Sequence, residues 1–410
     1  MTHFADVDVA DDRVMRGFPP PPEHRVRLDQ VYSDPRLTRW YMQHIREMSR
    51  TADVSSRHGT ITRFPEEPMD LDRVEVSDAN GDKRKLIDVL QATCSDAILV
   101  LRRGQLVYER YFNSMKPETP HLCMSVTKAI ASCVAANLVE AGTFSVDDEV
   151  AAIVPELAHS AYAGATVRHL LDMTVGIRYE DDVTDPAMEG ARLCRLEGVH
   201  PSLADDEPGS MYDFAVGTQK EGDHGKVFKY VSLNTIVLGW AMERATGTSV
   251  QELIRSHVWS RLGAEHDAYI TLDYAGAAQL EGGFACSLRD LARFGQMLCQ
   301  GGQFNGQQVV PASWLDDVRH DGDKGAFAVA AGSWDDGRSY DGCSYRSCFW
   351  VFETDDHTVF SAVGWLGQRV YVNQDAGVVI AQFSSHPIDL TDGMVAHTFQ
   401  AYEDLSRILA

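Results

Sequence analysis

The apolar stretch that follows Ser125 limits the possible folds more than any other segment of this 410-residue chain. Residues 126–140 are rich in alanine and other apolar side chains, and Gly142 follows them as a stop signal. The pattern predicts an apolar, Ala-rich helix from Ser125 to Glu140, which would bury the side chains it carries. Lys128 interrupts the stretch, although lysine is rarely buried without a specific reason.

Ser125 and Lys128 have the spacing of a nucleophile and its base. Two residues that are three positions apart in an α-helix lie on nearly the same face, so the Ser125 hydroxyl and the Lys128 amine project to the same side. A neutral lysine amine can remove the proton that makes serine a weak nucleophile, and the positive helix N-terminus disfavours the ammonium form. Ser-x-x-Lys occurs once in the sequence. Chance spacing is the alternative, because any serine can precede a lysine by three residues.

Two other segments could complete such a site. Tyr230 lies just before a predicted helix, where its phenol could pass a proton to or from the serine–lysine pair. Gly364 and Gly367 would let the backbone at Trp365 approach a ligand closely. An N–H there could join the N–H of Ser125 in holding an oxyanion. The alternatives are a tyrosine that only packs and an ordinary hairpin.

Composition narrows the class of protein. A net charge of −23 and a pI of about 5.0 argue against binding to nucleic acid or to anionic membranes. No apolar stretch is long enough to span a bilayer, and the first residues lack the pattern of a secretion signal, so we expect a cytoplasmic protein. The sequence contains no HExxH, GxxxxGK[ST] or strand-linked GxGxxG motif, so neither a metal nor a cofactor is expected.

The eight cysteines are scattered and include no Cys-x-x-Cys pair. We therefore expect buried, reduced thiols, as is usual in a cytoplasmic protein. A pair between Cys343 and Cys348 stays open, because their spacing permits it without requiring it.

The order of predicted elements indicates an α+β fold with an antiparallel sheet, flanking helices and an all-α domain. A hairpin turns at Gly104, and a helix begins at the N-cap Ser287 with Asp290 in its first turn. Further helices are predicted over 40–48, 166–173, 232–246 and 250–262, and strands over 348–353, 359–363, 368–372 and 378–383. We expect residues 1–75 to be an irregular extension packed on the body, residues 76–130 and 271–410 to form the sheet domain, and residues 131–270 to form the mainly helical domain.

The order and context of the three motifs resemble the serine hydrolases that have the class C β-lactamase fold. The matching segments are residues 122–128, 228–240 and 364–368, and residues 154–158, 169–173 and 282–293 match as well. The closest resemblance is to the 6-aminohexanoate-dimer hydrolases and related carboxylesterases. It implies that Ser125 is the nucleophile, Lys128 its base and Tyr230 the proton relay to the leaving group. It also implies an oxyanion hole formed by the N–H groups of Ser125 and Trp365.

Two departures from this family affect the expected substrate. The last motif lacks the Lys-Thr-Gly of penicillin-recognising enzymes, so no cation is expected for a β-lactam carboxylate. Val183 stands where the nylon-oligomer enzymes carry a tyrosine that grips the substrate amide, so ester hydrolysis is favoured over amide hydrolysis. The candidate substrate-binding residues are Tyr179, Asp181, Val183, Ser232, Asn234, Gly364 and Leu366.

The expected partner is a small-molecule substrate, either an ester or a short linear amide. The sequence is compatible with a homodimer and does not require one. Other activities of the same fold are the alternatives within enzymes, namely a β-lactamase or a D-amino-acid peptidase or amidase. The alternative outside catalysis is a ligand sensor that keeps the penicillin-binding fold. A complete set of Ser125, Lys128 and Tyr230 argues against a sensor, which needs no proton relay.

Overall fold

The computed structural model describes residues 13–32, 34–56, 60–180, 183, 185–199, 209–331, 342–353 and 356–410. The α-helices are α1 (Pro35–His44), α2 (Leu86–Ala92), α3 (Val126–Glu140), α4 (Val150–Ile153), α5 (Val167–Leu171), α6 (Glu189–Leu196), α7 (Met211–Val216), α8 (Leu233–Thr246), α9 (Val250–His257), α10 (Leu288–Cys299), α11 (Ala312–His320), α12 (Lys324–Ala331) and α13 (Thr391–Leu409). Short 3-10 helices cover Pro22–His24, Ile45–Glu47, Pro155–His159, Trp259–Arg261, Trp365–Gly367 and Ile388–Leu390.

The β-strands are β1 (Arg50–Val54), β2 (Glu75–Ser77), β3 (Lys83–Lys85), β4 (Ser95–Arg102), β5 (Gln105–Tyr111), β6 (His121–Leu122), β7 (Ala268–Leu272), β8 (Phe284–Cys286), β9 (Gln303–Phe304), β10 (Gln307–Gln308), β11 (Cys343–Arg346), β12 (Phe349–Glu353), β13 (Thr358–Gly364), β14 (Gln368–Asn373) and β15 (Val378–Ser384). Seven of them form one antiparallel sheet in the order β11-β12-β13-β14-β15-β4-β5.

Both faces of this sheet are covered, which explains why β4 is apolar along almost its whole length. Leu99 belongs to the larger core, in which α3 and α10 pack against the sheet. Its neighbour Ile98 belongs to a second core on the opposite face, closed by α2 and α13. Successive side chains of a strand point to opposite faces of the sheet. A strand between two helical layers therefore needs apolar residues at odd and even positions alike.

The helical part of the molecule is built around α3 and α8. Residues 126–136 of α3 and residues 233–242 of α8 are buried without interruption. A helix that is apolar on every side is stable only when other elements surround it. Here α8 contacts α3, α5 and α7, so α3 runs from the sheet into a helical layer. The first turn of α3 lies where the two layers meet.

A second, four-stranded sheet has the order β1-β7-β8-β6 and joins the N-terminal residues to the body. Strand β1 pairs with β7, and β6 pairs with β8. Helix α1 packs near β6, where Tyr41, Met42 and Ile45 share a core with Met124. The N-terminal segment therefore reaches the residue that precedes Ser125.

Several predicted elements are confirmed, and others need correction. The hairpin at Gly104, the four late strands and the cap at Ser287 are present, with Ser287 accepting a hydrogen bond from the N–H of Asp290. The helix predicted over 250–262 is interrupted at Val258, where φ is −128°. The segment read as irregular contains α1, which the helix predicted over 40–48 overlaps in its second half, and β1, which was not predicted. The C-terminal helix α13 and the second sheet were not predicted either.

All eight cysteines are reduced, and most of them are buried. Cys343 and Cys348 do not form a disulfide. A search of the described residues for a helix long and apolar enough to cross a membrane finds none.

Candidate active site

Ser125 lies at a sharp turn between β6 and α3. Met124 has a positive φ of 47°, and Ser125 itself takes helical angles as the N-cap of α3. The N–H of Cys123 donates to the carbonyl of Phe284 at 2.8 Å, which anchors the entry to the turn on β8. The Thr127 hydroxyl donates to the carbonyl of Met124 at 2.7 Å. The turn is therefore fixed on both sides and leaves the Ser125 side chain half-buried.

Lys128 is buried beside Ser125, with only 1% of its surface exposed. Its Nζ lies 2.9 Å from the Ser125 hydroxyl oxygen and 3.4 Å from that of Ser232, and it donates to the Glu281 carbonyl at 2.6 Å. A neutral amine has two N–H groups and one lone pair, so it can donate to two of these oxygens and accept from the third. The arrangement suits an amine that accepts the Ser125 proton.

Tyr230 contacts Lys128 through its ring. The Nζ of Lys128 lies 5.0 Å from the centre of the Tyr230 ring, a distance at which a cation interacts with an aromatic face. Across the described ranges, the Tyr230 hydroxyl makes no hydrogen bond. Trp350 stacks on the tyrosine at 5.9 Å, and Tyr345 meets it edge-on at 6.0 Å. The aromatic contacts fix the ring and leave the phenol available to a bound molecule.

The end of β13 passes directly beside the Ser125 turn. A Cβ atom at Gly364 would lie 3.1 Å from the Cβ of Met124, which is tighter than ordinary packing. Trp365 follows as the first residue of a 3-10 helix, and Leu366 has a positive φ of 60°. The end of β13 is thereby held against residues 123 and 124, directly before Ser125. An oxyanion hole needs two N–H groups that point to one place, and the N–H groups of Ser125 and Trp365 stay the predicted pair.

The N-terminal segment forms one side of this region, which the sequence did not predict. The ring of Tyr32 lies 4.9 Å from the ring of Trp365. Arg39, on α1, pairs with the buried Asp96 on β4. His121, four residues before Ser125, approaches the other oxygen of Asp96 at 3.2 Å. A buried aspartate between two basic side chains ties α1 to the strand that leads into the Ser125 turn.

The candidate substrate-binding residues are not all near the surface of this site. Ser232 contacts Lys128, and Val183 is half-buried. Tyr179 is fully buried. Asn234 is buried too, where it accepts from the Tyr162 hydroxyl at 3.2 Å. Both side chains are enclosed by protein, as that of Lys128 is, and their contact with substrate stays a prediction.

The other candidates have different positions. Leu366 is buried in the core that the N-terminal segment shares, and Gly364 is buried against the Ser125 turn. Asp181 lies outside the described residues. Glu281, which the sequence analysis passed over, bonds to Lys128 through its carbonyl. Its position directly before the Gly282-Gly283 pair of a recognised motif was the available signal.

Comparisons with known proteins identify the family and the fold of the chain. The β-lactamase family model matches residues 84–403. A 6-aminohexanoate-dimer hydrolase from Paenarthrobacter ureafaciens is 33% identical over 351 residues, which are 85% of this chain and 86% of that protein. A solved Bacillus anthracis structure, described as a putative 6-aminohexanoate-dimer hydrolase, has a TM-score of 0.85 at 29% identity and covers 95% of this chain and 98% of its own.

A family VIII carboxylesterase has the same fold at lower similarity. Its TM-score is 0.55 at 16% identity, with 77% of this chain and 96% of the esterase covered. The predicted α+β, β-lactamase-like fold is thus confirmed. By its match over most of its length, the chain belongs to the β-lactamase family and is a serine hydrolase.

Proposed function

We propose that the chain hydrolyses small carboxylic esters, and short linear amides more slowly, through an acyl-enzyme on Ser125. The observation that carries this proposal is the 2.9 Å separation between the Ser125 hydroxyl and the buried Nζ of Lys128. Few positions in a protein hold a lysine amine in hydrogen-bond contact with a half-buried serine at a helix start. The named relative, a 6-aminohexanoate-dimer hydrolase, acts on a linear amide and supports the same chemistry here.

In the first half of the reaction, Ser125 attacks the substrate carbonyl carbon. Neutral Lys128 takes the hydroxyl proton as the new C–O bond forms, and the carbonyl oxygen becomes an oxyanion. The N–H groups of Ser125 and Trp365 stabilise that charge, because they are already oriented before it develops. The tetrahedral intermediate collapses to the acyl-enzyme when the bond to the leaving group breaks.

The leaving group needs a proton as it departs. Tyr230 supplies it from its hydroxyl and regains one from the Lys128 ammonium, which returns the amine to its neutral form. Water then attacks the acyl-enzyme by the same route in reverse, and releases the carboxylic acid and free Ser125. Amines leave less readily than alkoxides of activated esters, so the proton from Tyr230 matters more for amides.

The proposed preference for esters over amides and β-lactams rests on two departures from the sequence pattern of the family. Val183 cannot donate a hydrogen bond to an amide, and the Gly364–Gln368 segment has no Lys-Thr-Gly cation for a β-lactam carboxylate. We therefore expect esters to be hydrolysed faster than amides and β-lactams to be poor substrates. A non-catalytic sensor is disfavoured, since it would not require a buried amine aligned on a serine.

The direct test uses a fluorophosphonate probe and short-chain p-nitrophenyl esters. The probe should label a peptide that contains Ser125, and Ser125→Ala should abolish labelling and lower kcat by several orders of magnitude, about 10⁶-fold at the upper end. Lys128→Ala should cost a similar amount, and the double variant little more, because the two residues act as one unit.

The matched control is Ser145→Ala, which removes an exposed serine. It should leave labelling and turnover unchanged. Retention of more than about a tenth of the esterase rate by Ser125→Ala would exclude the acyl-enzyme on this residue.

A further inference from the structure

The α5 turn, residues 171–173, contacts two segments that hold Tyr230 in place. Asp172 is the C-cap of α5, and Met173 has a positive φ of 55°, so the chain turns sharply here. The carbonyl of Met173 accepts a hydrogen bond from the N–H of Lys229 at 2.8 Å. The residue directly before Tyr230 is therefore attached to the α5 turn.

The second segment is the hairpin of β11 and β12, which turns at Ser347 and Cys348. The carboxyl of Asp172 accepts from the N–H of Ser347 at 2.9 Å through Oδ1, and from Nη1 of Arg346 at 2.8 Å through Oδ2. The N–H of Cys348 donates to the carbonyl of Leu171 at 2.9 Å. Ser347 and Cys348 have positive φ angles of 49° and 67°, so the hairpin turn is tight. Asp172 therefore binds the tip of this hairpin to the α5 turn.

The same hairpin carries the two aromatic rings that contact Tyr230. Tyr345 and Trp350 lie directly opposite each other on β11 and β12. The Trp350 ring stacks on Tyr230 with 24° between the ring planes, and the Tyr345 ring meets Tyr230 edge-on at 88°. Tyr345 also shares a core with Met173 of the α5 turn. Close-packed side chains transmit displacements, so a shift of the hairpin would move the Tyr230 ring and its phenol oxygen.

We propose that Asp172 is a positioning residue for Tyr230, because it binds the hairpin to the α5 turn and so holds the phenol where a departing group needs its proton. Asp172 is buried and acts on Tyr230 through the rings of Tyr345 and Trp350. The inference rests on the proposed role of Tyr230 as the donor to the leaving group. Proton transfer by a positioned side chain contributes about 10²-fold to 10⁴-fold, and it depends on the placement of the donor.

The test is Asp172→Asn, which nearly keeps the shape of the side chain. Both carboxyl oxygens of Asp172 accept hydrogen bonds, whereas an asparagine amide has one oxygen, so its NH2 group must face one of the two donors. The variant is assayed with the butyrate esters of p-nitrophenol and of ethanol, which form the same acyl-enzyme. p-Nitrophenolate departs without a proton, and ethoxide needs one. The value of kcat/KM should fall by roughly tenfold or more for ethyl butyrate and by less than about threefold for p-nitrophenyl butyrate.

Two further variants define the comparison. Tyr230→Phe removes the proton donor itself and should show the same selective loss to a larger extent. Adding Asp172→Asn to Tyr230→Phe should cost little more on ethyl butyrate, because both changes remove the same proton transfer. Asp317→Asn is the matched control, since Asp317 on α11 accepts from Nε of the same Arg346 at 2.9 Å and lies outside the α5 turn. This control should keep the wild-type ratio of the two ester rates.

Equal losses on the two esters in Asp172→Asn, or the same selective loss in Asp317→Asn, would overturn the inference. Arg346→Gln breaks the same ion pair from the hairpin side and takes the place of Asp172→Asn if that variant does not fold. A selective loss in Arg346→Gln would support the inference, and equal losses would overturn it. Failure of the proposed function would look different, because Ser125→Ala would then keep its activity towards both esters.

Discussion

The backbone of Gly364 lies so close to the carbonyl oxygen of Cys123 that a Cβ atom at position 364 would stand 2.5 Å from it. The glycine is required by this approach and not by its backbone angles, since its φ is −119°. Two chain segments far apart in sequence therefore meet directly before Ser125, and Trp365 is the residue that follows this contact on the second segment.

Gly364→Ala should consequently impair catalysis without unfolding the protein. The added methyl group must push β13 away from the Ser125 turn, which misplaces the Trp365 N–H. Loss of one oxyanion donor typically lowers kcat by about 10²-fold to 10³-fold. Steady-state ester hydrolysis and circular dichroism would check this. Gly217→Ala is the control, because its Cβ would lie 3.6 Å from the nearest atom, the Phe214 carbonyl oxygen, which is an ordinary contact distance. A near-normal kcat in Gly364→Ala would contradict the role of this contact.

The reaction scope can be measured on the unmodified enzyme. Short-chain p-nitrophenyl esters should be hydrolysed readily, and nitrocefin poorly or not at all, because the segment after β13 offers no Lys-Thr-Gly cation to a β-lactam carboxylate. Both substrates would be assayed at equal concentration with Ser125→Ala as the blank. Comparable turnover of nitrocefin would favour the β-lactamase alternative.

Val183→Tyr tests the alignment of the loop near residue 183. If this half-buried position faces the acyl pocket, the new phenol should donate to a bound amide in the transition state. One good hydrogen bond is worth about 1 kcal/mol, or several-fold in amide kcat/KM, with a smaller change for esters. Val216→Tyr, at an exposed valine, is the control. Equal changes for ester and amide would place Val183 outside the pocket.

The Asp96 cluster should govern stability in acid. Burial opposes ionisation of Asp96, but Arg39 and His121 outweigh it and lower the pKa of this carboxyl to about 2. Because the folded pKa lies below the unfolded value of about 3.9, the stabilisation is present above about pH 4 and is lost as pH falls towards 2. This stabilisation is worth about 2.6 kcal/mol at neutral pH.

Asp96→Asn should therefore lower the free energy of unfolding by about 3 kcal/mol at pH 7, since Arg39 is left buried without its counter-charge. The difference from the wild type should shrink below about pH 4. Urea unfolding at several pH values would measure both effects. Asp53→Asn is the control, at an aspartate whose side chain is 73% exposed. A difference that stays constant from pH 7 to pH 3 would argue against this linkage.

Sequence signals predicted the elements that have a regular residue pattern or that are stabilised by contacts between residues close in sequence. The Ser125 helix was recognisable because its apolar side chains occur on every face, and the late strands because β-branched residues recur between turns. Ser287 and Asp290 marked a helix start through a cap that forms within one turn. Such features depend on neighbours in the sequence.

The elements that were missed depend on distant partners. Strands β6 and β8 have only two and three residues, and they exist because each pairs with the other. Helix α13 packs Tyr402 and Leu405 against the second face of the sheet. The sequence analysis assigned only strands to this part of the chain, so it did not predict what covers that face. Tyr179 is a candidate substrate-binding residue by sequence, and the structure encloses its side chain in the larger core, which a local pattern could not show. The only sequence signal for Glu281 was the motif that follows it, because its contact with Lys128 runs through the main-chain carbonyl and does not depend on the side chain.

The pairing of β4 with β15 has a consequence for how the protein is made. These neighbours at the heart of the large sheet are roughly 280 residues apart, so β4 leaves the ribosome long before its partner is synthesised. Throughout that interval, a strand that is apolar on both faces has no permanent cover, which is a state prone to aggregation. Folding of this sheet must wait until β15 has been synthesised. A transcript that stops before β15 would thus yield an insoluble fragment and a client for chaperones, not a smaller enzyme.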